Sequence, residues 1–130
     1  MTIKVAAIGT GNVGIHALRQ LITDARFELT AVWVSSDAKA GRDAADLAGL
    51  DQPTGVLATT DLDAVRAHEP ECAVYTAPAD NRLVEALEDY RRILAAGVNV
   101  VGSSAVFLQY PWNTLPENMI EPIERAIEEG

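Results

Sequence analysis

Short, almost unbroken apolar runs alternate along this chain with longer stretches in which apolar residues recur every three or four positions. Ile3 to Ile8 (Ile-Lys-Val-Ala-Ala-Ile) is the first such run, the pattern of a strand covered on both faces. It ends in Gly9-Thr10-Gly11-Asn12-Val13-Gly14. After it Val13, Ala17 and Leu21, with Gly14, Leu18 and Ile22, recur at helical spacing to about Asp24. Leu29 to Val34 gathers β-branched and aromatic residues around Trp33 and predicts a second strand. Strand, glycine turn, helix and strand fill residues 3 to 34, the span of one βαβ unit with its right-handed crossover.

The pattern continues less regularly. A short helix is expected near Arg42 to Ala48. Gly49, Pro53 and Gly55 then punctuate a loop before a strand at Val56 to Ala58. Thr60 or Asp61 can cap a helix over Leu62 to Ala67, closed by Pro70, and Cys72 to Tyr75 reads as another buried strand. The clearest helix has Asp80 as its N-cap, apolar residues at Leu83, Leu87, Tyr90 and Leu94, and Gly97 at its end. Val98 to Val101 is a fifth strand, Ser103 to Asn113 is loop-like, and a last helix begins at Pro116 or Pro122 and runs to Gly130. Alternating strands and helices of this kind predict an α/β fold: a Rossmann-type doubly wound parallel sheet in three layers, forming a single domain over residues 1–130.

Composition narrows the function classes. With 48% hydrophobic and 22% charged residues, the 130-residue chain suits an ordinary globular domain and is too short for separate nucleotide and substrate domains. A net charge of −9 opposes sequence-independent binding to nucleic acid or an anionic membrane, so any phosphate must be held by local geometry. Cys72, the one cysteine, lies in an apolar run and reads as a structural thiol in a reducing compartment. No signal segment and no apolar run near the ~20 residues of a membrane span are apparent, and a cytoplasmic setting is expected.

The glycine turn carries the chemistry. Gly9, Gly11 and Gly14 fit G-x-G-x-x-G. The first permits a tight turn, the second lets a pyrophosphate approach the backbone, and the third lets helix and sheet pack closely. Phosphates would face the first N–H groups of the helix, where its dipole and unsatisfied donors both favour an anion. No Lys-Ser or Lys-Thr pair follows, which excludes a P-loop; a methyltransferase-type nucleoside site is the alternative. At the end of the second strand, where an acid would indicate NAD, stand Ser35 and Ser36, with Asp37, Lys39 and Arg42 behind them. Hydroxyls and cations there favour NADP, with NAD left open through Asp37. Thr10, Asn12 and Val13 are expected with the three glycines at the pyrophosphate, and Thr76 and Ala77 after the fourth strand, with Ser103 and Ser104 after the fifth, at the nicotinamide end.

On these segments the chain resembles the N-terminal cofactor domain of the dihydrodipicolinate reductase-like superfamily, in its 2,4-diaminopentanoate and amine dehydrogenase branch. The resemblance covers nearly the whole chain. It rests on Gly-Thr-Gly-Asn-Val-Gly at 9 to 14, Ser35-Ser36, Gly41-Arg42-Asp43-Ala44 leading into Leu47-Ala48-Gly49-Leu50, Val74-Tyr75-Thr76-Ala77-Pro78, and Tyr110-Pro111-Trp112. It implies NAD(P)-dependent hydride transfer at a carbon bearing nitrogen, with substrate pocket and dimer interface supplied largely by a C-terminal domain expected to be absent from these 130 residues. It also implies a glutamate after the fifth strand that handles the amine proton. Residues 103 to 109 contain no carboxylate, so no catalytic residue is assigned.

His16 and His68 have no companions at metal-ligand spacing and read as exposed helix positions, and no metal is expected. Asp61, Asp63, Glu128 and Glu129 read as solvated charge. The cluster Phe107, Tyr110, Pro111 and Trp112 suits burial under a partner domain or a second subunit, or a local plug. Two functions follow: the cofactor half of an oxidoreductase, inactive alone, or a self-standing NAD(P)H sensor.

Overall fold

A computed structural model describes residues 2–79, 81–103, 108 and 111–130. The chain runs β1 (Ile3–Ile8), α1 (Asn12–Thr23), β2 (Phe27–Trp33), α2 (Ala44–Leu47), β3 (Ala58–Thr59), α3 (Leu62–Ala67), β4 (Cys72–Tyr75), α4 (Leu83–Ala95), β5 (Asn99–Gly102), α5 (Pro111–Thr114) and α6 (Glu117–Glu129). The strands make one sheet in the order β3-β2-β1-β4-β5, every neighbour parallel. Strands after β1 run outward on one side and then cross to β4 on the other, so the order reverses between β1 and β4. That reversal opens a crevice at the carboxyl edge.

Alternation along β1 explains its continuous apolar run. Ala6 and Ile8 join Trp33, Tyr75, Leu62, Val65, Leu87, Tyr90, Ile93 and Ile123 in the core beneath α3, α4 and α6. Val5 and Ala7 join Leu18, Leu21, Val32, Val34, Ala44 and Leu47 in the core beneath α1 and α2. With helices on both faces, neither side of the strand can be polar. The three-layer, doubly wound expectation therefore holds.

Several boundaries differ from the sequence reading. β2 starts at Phe27, two residues before the expected Leu29, because a register shift sets Leu29 opposite Val5 and Ala31 opposite Ala6. The skipped Thr30 donates its hydroxyl to the Val5 carbonyl (3.4 Å), and this bulge breaks the alternation on which a strand start is judged. α2 is confined to Ala44–Leu47, inside the expected 42 to 48, because the Asp43 side chain caps it by accepting from the Ala45 N–H. β3 falls at Ala58–Thr59 instead of 56 to 58, since Leu57 bridges back to Asp43 in an antiparallel contact. β5 is displaced by one residue to Asn99–Gly102 because Gly97, at φ +80°, and Val98 still belong to the turn out of α4.

Three further differences lie in the helices. α4 begins at Leu83 with Arg82 at its N-cap, whereas the expected cap, Asp80, lies outside the described residues. Pro111–Thr114 forms a short helix inside a stretch read as loop. α6 starts after Pro116 and continues through Pro122, whose missing N–H is tolerated because Ile120, Ile123 and Ala126 stay buried, Ile123 in the core that holds α4.

Candidate functional site

The glycine turn is built by hydrogen bonds that lock three strand ends together. Gly9 donates its N–H to the Trp33 carbonyl (2.9 Å), while Thr76 and Ala77 both donate to the Ile8 carbonyl (2.8 and 3.1 Å). The Thr76 hydroxyl donates to the Ile8 and Gly9 carbonyls at 3.3 Å each. At φ +105°, Gly9 is in a region that favours glycine, and a Cβ there would lie 2.7 Å from the Ala77 nitrogen. A Cβ on Gly14 would lie 2.5 Å from the Gly9 carbonyl oxygen and 2.6 Å from Thr76 Oγ1. Both glycines are required by packing. Gly11 is different, since a Cβ built on it meets nothing within 4 Å.

Gly11 is the N-cap of α1 and brings no side-chain acceptor to the first-turn N–H groups. The helix start is thus a set of backbone donors beside open space, at the end where the dipole favours an anion. Asn12 and Val13 are exposed on that first turn and Gly14 is buried. A cleft of about 260 Å³ lies in front, lined by Gly9, Thr10, Gly11, Trp33, Ser35, Ser36, Lys39, Ala77, Pro78, Asn81 and Arg82. Lys39 reaches across it, its ammonium donating to Thr10 Oγ1 (3.2 Å) and to the Thr10 carbonyl (3.4 Å). Ser36 shapes that approach by accepting the Ala38 N–H on its hydroxyl (3.2 Å) and the Lys39 N–H on its carbonyl (3.1 Å).

Seven of the residues expected at a cofactor therefore meet in one cleft: Gly9, Thr10, Gly11, Ser35, Ser36, Lys39 and Ala77. Thr76 and Gly14 stand behind the turn and hold its shape. Ser103 is exposed at the end of β5, donating its N–H to the Tyr75 carbonyl (3.1 Å), outside this cleft; Ser104 lies outside the described residues. Sequence reading did not single out Trp33, Asn81 and Arg82 as site residues. Reading α4 from Asp80 had put Asn81 and Arg82 on a helix, when both belong to the cleft rim. A tryptophan at the carboxyl end of β2, directly before the two serines, was the available signal for Trp33.

Other candidates fall elsewhere. Arg42 is turned away into an ion pair with Asp46 (2.7 Å), and His16 and His68 are exposed. Asp61 caps α3 by accepting from the Asp63 N–H, and Asp63 pairs with Arg66 and Arg92. Cys72 is half-buried, less enclosed than expected, and burial pushes its thiol pKa up and away from the reactive thiolate. Phe107 and Tyr110 lie outside the described residues, while Pro111 is buried and Trp112 is 63% exposed, its indole N–H donating to Glu124 (3.1 Å).

A parallel sheet of this order, with a glycine turn opening a helix beside the point of reversal, defines the Rossmann class of domains. Comparison with known proteins narrows the class. The sequence is 42% identical over 122 residues to an amine dehydrogenase of Streptomyces virginiae, a match covering 94% of this chain and 34% of that protein. The fold matches the structure of an amine dehydrogenase from Mycobacterium smegmatis with a TM-score of 0.83 and 26% identity, over 97% of this chain and 36% of that one. It also matches GenD2 from gentamicin A biosynthesis, solved with NAD, at a TM-score of 0.66 and 23% identity, over 98% of this chain and 32% of that one. No family model matches. The chain is similar to these amine dehydrogenases and spans about a third of their length. Among the described residues, no helix is long and apolar enough to cross a membrane.

Proposed function

We propose that this chain is the cofactor-binding part of an NAD(P)-dependent oxidoreductase acting at a carbon that bears nitrogen. The observation that carries the reading is the contrast within one motif. Gly9 and Gly14 are crowded by backbone, whereas Gly11 faces empty space at a helix start with no capping side chain. The pyrophosphate would lie against the N–H groups of residues 11 to 14, and Ser35, Ser36 and Lys39 would hold the adenosine ribose. Thr76, Ala77, Ser103 and Ser104 belong to the nicotinamide side of this arrangement. When bound, such a cofactor gives or takes a hydride; the residues of this chain bind and orient it. Substrate groups and proton handling fall to the remaining two-thirds of the length seen in the related proteins, as a domain docked over residues 107 to 112 or across a homodimer. The setting that fits is the cytoplasm.

Lys39 supports NADP over NAD, because an ammonium already at the Thr10 edge of the cleft can pair with a 2′-phosphate. For a half-exposed lysine the low end of the ~1.5–3 kcal/mol of a charge-assisted hydrogen bond applies, about tenfold in affinity. Titration with NADPH and NADH, followed by tryptophan emission, tests both parts. NADPH should bind about tenfold tighter, and Lys39→Ala should erase most of that difference. Absence of any response to either nucleotide at millimolar concentration would sink the reading.

A further inference from the structure

Arg82 is an odd residue for its place in the fold. It stands at the N-cap of α4, where a cation faces the positive end of the helix dipole and makes no side-chain cap. Its guanidinium does not escape to water. It folds back over the Trp33 ring, 5.8 Å from the centroid, and the side chain is only 26% exposed. Nη1 donates to the Pro78 carbonyl (3.2 Å) and to Tyr75 Oη (3.5 Å), and Nη2 lies 3.7 Å from Asp89 Oδ2. Tyr75 itself donates its hydroxyl to Asp89 at 2.7 Å, so the best acceptor nearby is already engaged. These contacts are long, a weak return for burying a charge. Their geometric effect is that two hydrogen bonds, the Asp89 carboxylate and the Trp33 ring hold the guanidinium at the cleft wall formed by Pro78, Asn81 and Arg82.

We infer that Arg82, backed by Trp33, is the platform on which the adenine ring of the cofactor stacks, an inference that rests on the dinucleotide reading above. With the pyrophosphate at the glycine turn and the ribose beside Ser35, Ser36 and Lys39, the attached base lies between that rim and the wall carrying Arg82. Nη1 is engaged by the Pro78 carbonyl and Tyr75 Oη, and Nη2 lies towards Asp89, so both terminal nitrogens are drawn away from a ligand that would meet the group by its face. A planar, delocalised cation held 5.8 Å from the centroid of one aromatic ring can take a second π system on its other side, and a purine supplies it. Arginine, not lysine, is required for that geometry.

The test compares NADH with reduced nicotinamide mononucleotide, which lacks the adenosine half, on wild type, Arg82→Lys and Arg82→Met. Melting curves check that each variant is folded. Stacking contributions of this kind correspond to about tenfold or more in affinity. Both variants should therefore weaken NADH by about tenfold or more and leave the mononucleotide unchanged. Restoration by lysine would overturn the inference in favour of simple charge pairing, as would equal losses for the two ligands or unchanged NADH affinity in Arg82→Met. Those outcomes leave the dinucleotide reading standing, because wild type still binds NADH. Should Arg82→Met fail to fold, Arg82→Lys with Trp33→Phe carries the same comparison. Failure of wild type to bind NADH overturns both.

Discussion

Two concavities of equal size, about 260 Å³ each, lie in this domain and have opposite chemistry. The cleft at the carboxyl edge of β1, β2 and β4 is faced by backbone N–H groups, hydroxyls and the cations Lys39 and Arg82. The trough between α4, β5, α5 and α6 is lined by Leu94, Val100, Leu108, Pro111, Trp112, Ile120, Ile123 and Ile127, with Tyr90 and Glu124 as its polar members. Volume does not distinguish them. The difference is that polar groups of the cleft are aimed by strand-end hydrogen bonds into open space. In the trough the Tyr90 hydroxyl is buried with no hydrogen-bond partner among the described residues. One presents donors and cations to open space; the other is a gap between packed elements.

The glycine turn gives the sharpest way to break this contrast, since two of its members are packing residues and one is a vacancy. Gly14→Val forces side-chain atoms where a Cβ alone would sit 2.5 Å from the Gly9 carbonyl. Overpacking against backbone should cost about 3 kcal/mol or more, read as a lowered denaturant midpoint. Gly11→Val should do the reverse. With no atom within 4 Å of its Cβ, the fold should be unchanged. The new side chain would occupy the pyrophosphate position, so NADPH affinity should fall about 100-fold, near 2.7 kcal/mol. An unstable Gly11→Val, or one that still binds, contradicts the division of roles.

How much of this was legible beforehand follows from the distance between the residues involved. β1, the glycine turn and α1 form one local unit, and their pattern placed them within a residue. The halves of the cleft contributed by Ser35, Ser36, Lys39 and Ala77 were legible because an order-reversing sheet brings the ends of β2 and β4 beside β1. Arg82 was not. Its position depends on a helix start that lacks a side-chain cap, and the ring it lies over, Trp33, belongs to a strand far earlier in the chain. The bulge at Thr30 hid the start of β2 for a similar reason: it reflects pairing with Val5, not the local sequence. The trough was legible only as a cluster of aromatic residues, because α4, β5 and α6 meet there from separate parts of the chain.

A smaller effect is expected behind the cleft, where Asp43 ties the excursion between β2 and β3. Its carboxylate accepts from the Thr54 N–H (3.0 Å) and hydroxyl (2.8 Å), the Ala45 N–H (2.8 Å) and the Gly55 N–H (2.9 Å). Those donors, led by the Thr54 N–H, hold its pKa at about 2 against an ordinary value of 3.8. A depressed folded-state pKa means that this stabilisation is complete above the unfolded value and is lost as pH falls from about 4 towards 2. Asp43→Asn should lower Tm by a few degrees at neutral pH and flatten its decline over that acid interval. A melting profile with the wild-type slope below pH ~4 would show that the carboxylate's charge is immaterial.

The smallest effect tests the trough. Tyr90 is 6% exposed, and burial pushes its hydroxyl pKa up to about 12. Leaving a buried hydroxyl unpaired costs about 1–3 kcal/mol, and replacing it with hydrogen removes that cost at the expense of a small void. Tyr90→Phe should therefore stabilise the domain by about 1 kcal/mol, raise Tm and leave NADPH affinity untouched. Gly102 offers an internal control, because a Cβ there would lie 1.9 Å from Tyr90 Oη but 3.2 Å from Cζ. Gly102→Ala should be tolerated far better in the Tyr90→Phe background than alone, giving a coupling energy from a double-mutant cycle. If Tyr90→Phe instead destabilises the protein by more than that void accounts for, the hydroxyl has a partner in solution and is not an unpaired group.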